Sequence, residues 1–298
     1  MPSGKVAAGR LPSHTQLIEF FNITIPSHPQ DIPLQYHVPR WPRYDPDVVF
    51  VRDIVLSITP TLGVYDKLNH LARGRQKAVC FLHRPFQLDR RALPRGSLVL
   101  ANHKRFDELL TTGYNTALAT RLTVDVGRSF CIQGYKGDPD RRIGIVGPLG
   151  AAQPLKVLAS TIGAEVGMAE LYPGSDVSPV EVRAMAIMNA FGPDEVARVL
   201  AGAEEHGLTP AGDASGLLYL TGQPRELGLE AAKVANMPAI CVGHRPAEEW
   251  GIRYLAHLLR ESWPQLAVHV VMEEESLATG ESEPEITAGA TEVGIASG

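Results

Sequence analysis

Two stretches of the sequence decide the fold: residues 78–85 read AVCFLHRP, and residues 239–246 read AICVGHRP. Each is a short apolar run, typical of a buried strand, that ends in His-Arg-Pro. In a mostly parallel sheet, ligands collect at the carboxyl ends of the strands, where loops leave the core. We therefore expect His83 and His244 to lie at equivalent sheet edges, each held by the proline that follows.

Working outward from these stretches, strand-like and helix-like patterns alternate from Val48 to Val271, which predicts an α/β fold. Strands are predicted at 48–58, 77–82, 97–101, 143–146, 182–191, 216–220, 239–242 and 266–271. Helices are predicted at 65–73, 107–122, 225–235 and 246–262, and from Pro154 and Pro193 onward. Four parts are predicted: a proline-rich extended segment (1–46) outside the core, α/β halves at 47–150 and 151–272, and a disordered acidic tail (273–298).

Composition limits the possible functions. Of the 298 residues, 44% are hydrophobic and 20% charged, as in an ordinary globular protein. The net charge of −5 argues against an extended nucleic-acid surface, and the lack of a long apolar run predicts no membrane span. Three widely spaced cysteines, without a secretory pattern at the start, predict free thiols and a cytoplasmic location.

A third predicted strand leads into another histidine. Residues 97–101 precede His103, Asp107 follows His103 by four residues, and Glu248 follows His244 by four. Three strand ends would then present three histidines and two carboxylates, a set that suits zinc, iron, manganese or nickel. Each histidine alone could equally be a hydrogen-bonded structural residue, and a His–carboxylate pair four residues apart also occurs on solvated helix faces.

Basic side chains follow the same strand ends, namely Arg84, Lys104, Arg105 and Arg245. Clustered cations of this kind suit a phosphate or a carboxylate. The alternative is that they form surface ion pairs with Asp89, Glu108 and Glu249. The sequence contains neither a serine-hydrolase elbow nor a Walker-type phosphate loop.

The same segments resemble the NIF-three-like family (Ngg-one-interacting factor three), whose members are often described as GTP cyclohydrolase I type 2. Its His-His-Pro element is similar to residues 83–85, its His-Thr-Asn-Leu-Asp element to residues 103–107, and its Gly-His-x-x-x-Glu element to residues 243–248. The resemblance implies two similar α/β halves flanking a central cleft that holds metal, and an assembly into hexamers. By position it implies metal ligands at His83, Asp107, His244 and Glu248, with His103 beside them.

Two departures from the family pattern affect the expected chemistry. Arg84 replaces the second histidine of His-His-Pro, and a guanidinium cannot ligate a metal. The stretch Thr221–Leu227 also lacks the histidine that the family has there. We therefore expect one divalent ion rather than two.

The resulting hypothesis is a metal-dependent hydrolase that acts on a nucleotide or another phosphorylated small molecule. In it His103 carries the proton, and Arg84, Lys104 and Arg245 hold the substrate anion. Two alternatives stay open. One is a catalytically degenerate relative that acts as a protein-interaction or regulatory partner, and the other is a metal-free nucleotide sensor.

Overall fold

The computed structural model describes residues 11–74, 79–174 and 181–273. Most of the tail predicted to be disordered lies outside these ranges. In chain order the helices of the described residues are α1 (His14–Thr24), α2 (Leu62–Arg73), α3 (Lys104–Leu110), α4 (Thr116–Arg121), α5 (Leu155–Val166), α6 (Pro193–Glu205), α7 (Glu226–Val234) and α8 (His244–Ser262). The strands are β1 (Gln35–His37), β2 (Asp53–Ser57), β3 (Val79–Leu82), β4 (Leu98–Ala101), β5 (Phe130–Tyr135), β6 (Asp138–Pro154), β7 (Glu170–Tyr172), β8 (Glu181–Met188), β9 (Leu217–Thr221), β10 (Ala239–Cys241) and β11 (Ala267–Val270).

The strands of the described residues form two sheets, which confirms the predicted α/β class. The first sheet has the order β1-β4-β3-β2-β11, and only its edge strand β1 is antiparallel to its neighbour. The second has the order β5-β6-β8-β9-β10-β7, with β8, β9 and β10 parallel and the remaining strands antiparallel. The predicted boundary at residue 150 falls inside β6. Strand β11, from the second predicted half, returns to the first sheet. The two sheets therefore do not coincide with the two predicted halves.

Helix α8 lies between the two sheets and joins their cores. Ile252, Leu255 and Leu259 pack with the first sheet, whereas Ala247 and Trp250 pack with the second. Side chains of a strand alternate between its faces, and Phe81 of β3 belongs to the same core as Ile252. His83, two residues after Phe81, therefore faces the layer that contains α8.

Helix α3 crosses α8 at very short range at Gly251. A Cβ atom on Gly251 would lie 2.5 Å from the carbonyl oxygen of Leu110 and 2.7 Å from the Phe106 ring. No larger residue fits between the two helices without moving one of them. This contact packs Phe106 and Leu110 of α3 directly against α8.

The prediction that residues 1–46 stay outside the core is wrong for the described part of that segment, residues 11–46. Helix α1 begins with a capping box, in which Ser13 Oγ accepts from the Gln16 amide (3.2 Å) and Gln16 Oε1 accepts from the Ser13 amide (3.0 Å). Leu17, Phe21 and Ile25 are fully buried in the core of the first sheet. Their spacing of four residues gives α1 an apolar face, and the hydrophobic gain keeps the segment docked although prolines follow.

The single helix predicted at 107–122 is divided into α3 and α4. A Cβ atom at Gly113 would lie 2.5 Å from the carbonyl oxygen of Glu108, so the chain turns sharply here. Asn115 then starts α4 by accepting a hydrogen bond from the Leu118 amide at 2.9 Å. The break ends α3 soon after Asp107, so the axis of α3 (residues 104–110) is independent of the axis of α4.

The docked α1 predicts a large difference between two substitutions in one helix. Phe21 stacks on Phe81 at 4.7 Å and is fully buried, whereas Ile23 is 69% exposed. Phe21→Ala should lower the free energy of unfolding by about 3–5 kcal/mol, whereas Ile23→Ala should change it by less than about 0.5 kcal/mol. Urea unfolding followed by circular dichroism measures both, and equal small effects would show that α1 is peripheral.

Candidate metal centre

The imidazole of His83 is the centre of a polar cluster in the central layer. His83 follows β3 and is fully buried. Its Nδ1 lies 3.1 Å from the carbonyl oxygen of Asn102, which can only accept, so Nδ1 carries a hydrogen and donates it. One face of the ring stacks on Phe106 at 4.2 Å. The orientation and tautomer of the ring are therefore fixed, and Nε2 is the atom presented to the cluster.

Two carboxylates approach Nε2 of His83 from different helices. Asp107 Oδ1 of α3 and Glu248 Oε1 of α8 each lie 3.2 Å from it. The Asp107 side chain is 18% exposed and that of Glu248 is 1% exposed. The crossing of α3 and α8 thus delivers one acidic side chain from each helix to the same nitrogen.

Helix α3 is held in place by side chains that precede it in the chain. Asn102 Oδ1 accepts from the Phe106 amide (2.9 Å), and Asn102 Nδ2 donates to the carbonyl of Ile25 (3.0 Å). Asp31 Oδ2 accepts from the amides of His103 (3.2 Å) and Lys104 (2.7 Å). An N-terminal carboxylate of this kind satisfies free amides and complements the helix dipole. The segment 25–31 therefore supports the geometry of the site.

His103 lies on the more exposed side of the cluster. Its ring centroid is 5.0 Å from that of His83, and its Nδ1 is 3.9 Å from Asp107 Oδ2. One ligand atom each from His83, His103 and Asp107 fits within 4.8 Å, a spacing that one metal ion can bridge. His103 was expected to carry a proton, but the geometry also suits it as a metal ligand.

His244 and Arg84 flank Glu248. His244 is the first residue of α8, and its Nε2 lies 3.1 Å from Glu248 Oε1. Arg84 Nε lies 3.4 Å from the same oxygen. A single buried carboxylate thus faces three nitrogen-bearing side chains, His83, His244 and Arg84. The five residues predicted for the metal and the proton step, together with Arg84, do converge on one place.

The charges in this cluster shift the pKa values of its members. Burial alone would lower the pKa of His83, but Asp107 and Glu248 outweigh it and raise that pKa to about 9. Burial lowers the pKa of His103, against the opposing effect of Asp107. Burial would raise the pKa of Glu248, but its contacts with His244 and His83 hold it far below the usual range. Without a metal, the cluster therefore places an imidazolium between two carboxylates.

The residues fit a divalent transition metal. Nε2 of His83, Nδ1 of His103 and both oxygens of Glu248 are buried, and within the described ranges they lack a hydrogen-bond partner of good geometry. Imidazole nitrogens and carboxylate oxygens are the donor set that zinc, iron, manganese and nickel use. Exposure of His103 and His244 to solvent leaves one side open for a further ligand.

The other predicted cations are used differently. Arg245 Nε donates to Glu249 Oε1 at 2.9 Å, and Arg105 pairs with Glu108, so the ion-pair alternative holds for both. Lys104 Nζ lies 3.5 Å from Gln30 Oε1. Arg84 is therefore the predicted substrate cation that contacts the cluster. Cys80 and Cys241 are buried free thiols, as predicted, and burial raises the pKa of Cys241 to about 12.

Sequence reasoning missed the residues that position the site. Asn102 and Asp31 make the hydrogen bonds that orient His83 and α3, and Gly251 permits the helix crossing. An Asn directly before His103 was a visible signal, because Asn is a favoured cap and polar strand-end residue. Asp31 is 72 residues from His103, and no local pattern connects the two.

Comparison with solved structures identifies the fold. A Bacillus cereus protein related to NIF3 matches with a TM-score of 0.55 and 12% identity, covering 92% of this chain and 100% of that one. HcgD from Methanocaldococcus jannaschii, in its reduced form, matches with a TM-score of 0.58 and 16% identity, covering 87% of this chain and 97% of that one. The protein ybgI, described as of unknown function, matches with a TM-score of 0.60 and 18% identity, covering 89% of this chain and 99% of that one.

These likenesses confirm the predicted NIF-three-like fold. No protein-family model matches the sequence. No curated protein matches it either. None of the helices in the described part of the chain has the length and apolar character that crossing a membrane requires.

The environment of His83 predicts an alkaline loss of stability in protein treated with a chelator. A pKa raised from 6.5 to about 9 means that folding favours the protonated ring. The protonated ring contributes its full stabilisation below pH 6.5, and this contribution is lost as the pH rises to about 9. At about 1.4 kcal/mol per pKa unit, the loss in the free energy of unfolding is on the order of 3 kcal/mol. Imidazole NMR measures the pKa of His83, and urea unfolding at several pH values measures the change in stability.

Two matched variants on α8 sharpen that test. Glu248→Gln should lower the pKa of His83, because one of its two carboxylate partners loses its charge. Glu261→Gln, in the exposed pair with His257 at 3.4 Å, should leave the titration of His83 unchanged. A neutral His83 at pH 7 in the metal-free protein would contradict the charge distribution described above.

Proposed function

We propose that this chain is a NIF-three-like metal-binding protein that holds one divalent transition-metal ion in the central layer. The observation that carries the proposal is the 3.2 Å approach of both Asp107 and Glu248 to Nε2 of the fully buried His83. A histidine oriented through Nδ1 by a backbone carbonyl is the usual posture of a metal ligand. The family assignment is supported by the shared fold and by the residue patterns at 83–85, 103–107 and 243–248.

His83, His103 and Asp107 would hold the ion, with Glu248 and His244 beside it. The expectation that His103 is only a proton carrier is thereby revised, because its Nδ1 belongs to the same ligand group. Arg84 supports a single ion rather than a pair. Its guanidinium, 3.4 Å from Glu248, already supplies positive charge there and would repel a second ion.

The activity we propose is hydrolysis of a phosphorylated small molecule or nucleotide. A bound ion supplies Lewis acidity toward water or a substrate oxygen. Arg84, whose side chain is 24% exposed at the edge of the cluster, would bind a phosphate oxygen. His244, which is 53% exposed and lies 3.1 Å from Glu248 Oε1, would exchange a proton with solvent, and the contact with Glu248 raises its pKa. We further propose that the protein is cytoplasmic and assembles with copies of itself.

A second candidate function is binding or regulation without turnover. It is favoured by the same Arg84–Glu248 contact, because an arginine stands where the family pattern has a second histidine. In that case the ion would have a structural role, and removing it would change stability and partner binding only.

Metal content tests the proposal. After loading with zinc or manganese and removal of free ions, the wild-type chain should retain one ion, whereas His83→Ala and Asp107→Asn should retain far less, because each removes a ligand. His257→Ala is the matched control, since His257 also pairs with an acidic residue four positions on but lies on the exposed face of α8. Inductively coupled plasma mass spectrometry gives the stoichiometry.

Two outcomes would contradict the metal proposal: a wild-type chain that retains no ion, and an ion whose retention is unchanged in His83→Ala. If the ion is retained as described, assays of phosphate-ester hydrolysis by the loaded protein separate the two candidate functions. Turnover that is lost in Asp107→Asn supports the hydrolase, and absence of turnover with every phosphorylated substrate supports the regulatory role.

A further inference from the structure

A separate cavity lies beside the first sheet, at the opposite end of strand β4 from the candidate metal centre. It has a volume of about 730 Å³ and is bounded by the chain after β1 (residues 37–41) and by the loop that leads into β4 (residues 90–96). Strand β4 runs from this loop toward His103, so the cavity is at its amino end and the candidate metal centre is beyond its carboxyl end. The cavity therefore does not belong to the site described above.

Four arginines line this cavity: Arg40, Arg90, Arg91 and Arg95. All four are exposed, and none of them forms an ion pair within the described residues. Among the residues that the structure describes, no aspartate or glutamate lines the cavity. The nearby Asp89 accepts a hydrogen bond from the backbone amide of Arg91 (2.8 Å). Four unneutralised guanidinium groups therefore share one concave surface in a protein whose net charge is −5.

Some arginines elsewhere in the described part of the chain are neutralised by a carboxylate. Arg121 pairs with Glu165 at 3.1 Å, and Arg245 pairs with Glu249 at 2.9 Å. Like charges that crowd together repel one another, and this arrangement is favourable when an anion binds between them. The positive field also acts on His37 in the cavity wall, because burial together with Arg90 and Arg40 lowers its pKa.

The walls of the cavity are built from packed side chains. The guanidinium of Arg90 lies over the ring of Tyr36 at 5.5 Å. The ring of Trp41 packs against Gly96 and meets Tyr44 edge-on at 5.0 Å. Leu93 is largely buried beneath the loop. These contacts hold the backbone that carries the four arginines, which reduces the entropy lost when a ligand binds.

We propose that this cavity binds a small molecule that carries two or more phosphate groups. Guanidinium groups bind phosphate oxygens through paired hydrogen bonds, and several of them together match several negative charges. The volume is within the range of small-molecule sites. Because this site is formed by different residues, the proposal does not depend on the metal centre.

Calorimetric titration with inorganic tripolyphosphate tests the proposal on the full chain at low and high salt. The wild-type protein should bind it, and more weakly at high salt, because charge attraction is screened. The double variant Arg40→Gln/Arg95→Gln should bind at least tenfold more weakly, since it loses two of four guanidinium groups. Both side chains are exposed, so the fold should survive, and circular dichroism checks this.

Two control variants localise the binding. Arg128→Gln/Arg183→Gln removes the same charge from exposed positions outside the cavity, and Lys104→Gln/Arg245→Gln removes cations predicted at the metal centre. Neither control variant should weaken tripolyphosphate binding by more than the small amount caused by the change in net charge. The proposal is overturned if the wild-type protein does not bind tripolyphosphate, or if Arg40→Gln/Arg95→Gln binds it as the wild type does. It is also overturned if a single-stranded RNA binds far more tightly than tripolyphosphate through the same arginines.

Discussion

The buried imidazole of His83 between two carboxylates is the interaction on which the rest of the site depends. Removing ionised groups from water costs several kcal/mol each, and this cost is offset only when opposite charges and hydrogen bonds are well placed. Asp107 and Glu248 provide the opposite charges, and the carbonyl of Asn102 fixes the ring. Loss of either carboxylate would leave the remaining charges uncompensated in a buried place.

The architecture holds these groups together from three directions. The first sheet ends at His83, the second sheet leads into α8 with Glu248, and the N-terminal segment holds α3 through Asp31. The close crossing at Gly251 sets the distance between the two acidic side chains. Because these three supports are anchored in packed cores, the site can hold charged groups at short range without collapsing onto them.

Much of this could be predicted from the sequence, because the decisive patterns are local. The paired apolar runs before His83 and His244 predicted both strand ends, and the spacing of four residues predicted the position of Asp107 relative to His103. One or two helical turns at residues 17–21 fit the sequence, but the docking of α1 in the core was missed although Ser13, Gln16 and the apolar spacing from Leu17 are a local signal; the prolines that follow were given too much weight. The return of β11 to the first sheet and the role of Asp31 are long-range features, which depend on tertiary packing and leave no periodicity to detect.

Anomalous X-ray scattering from crystals of the metal-loaded protein would show whether His83 holds a metal ion. Data collected on both sides of the absorption edge of the loaded metal locate the ion and identify it. One strong peak is expected at about 2.0–2.2 Å from Nε2 of His83, with Asp107 as a second ligand. A peak away from His83, or no peak at that position in fully loaded protein, would contradict it.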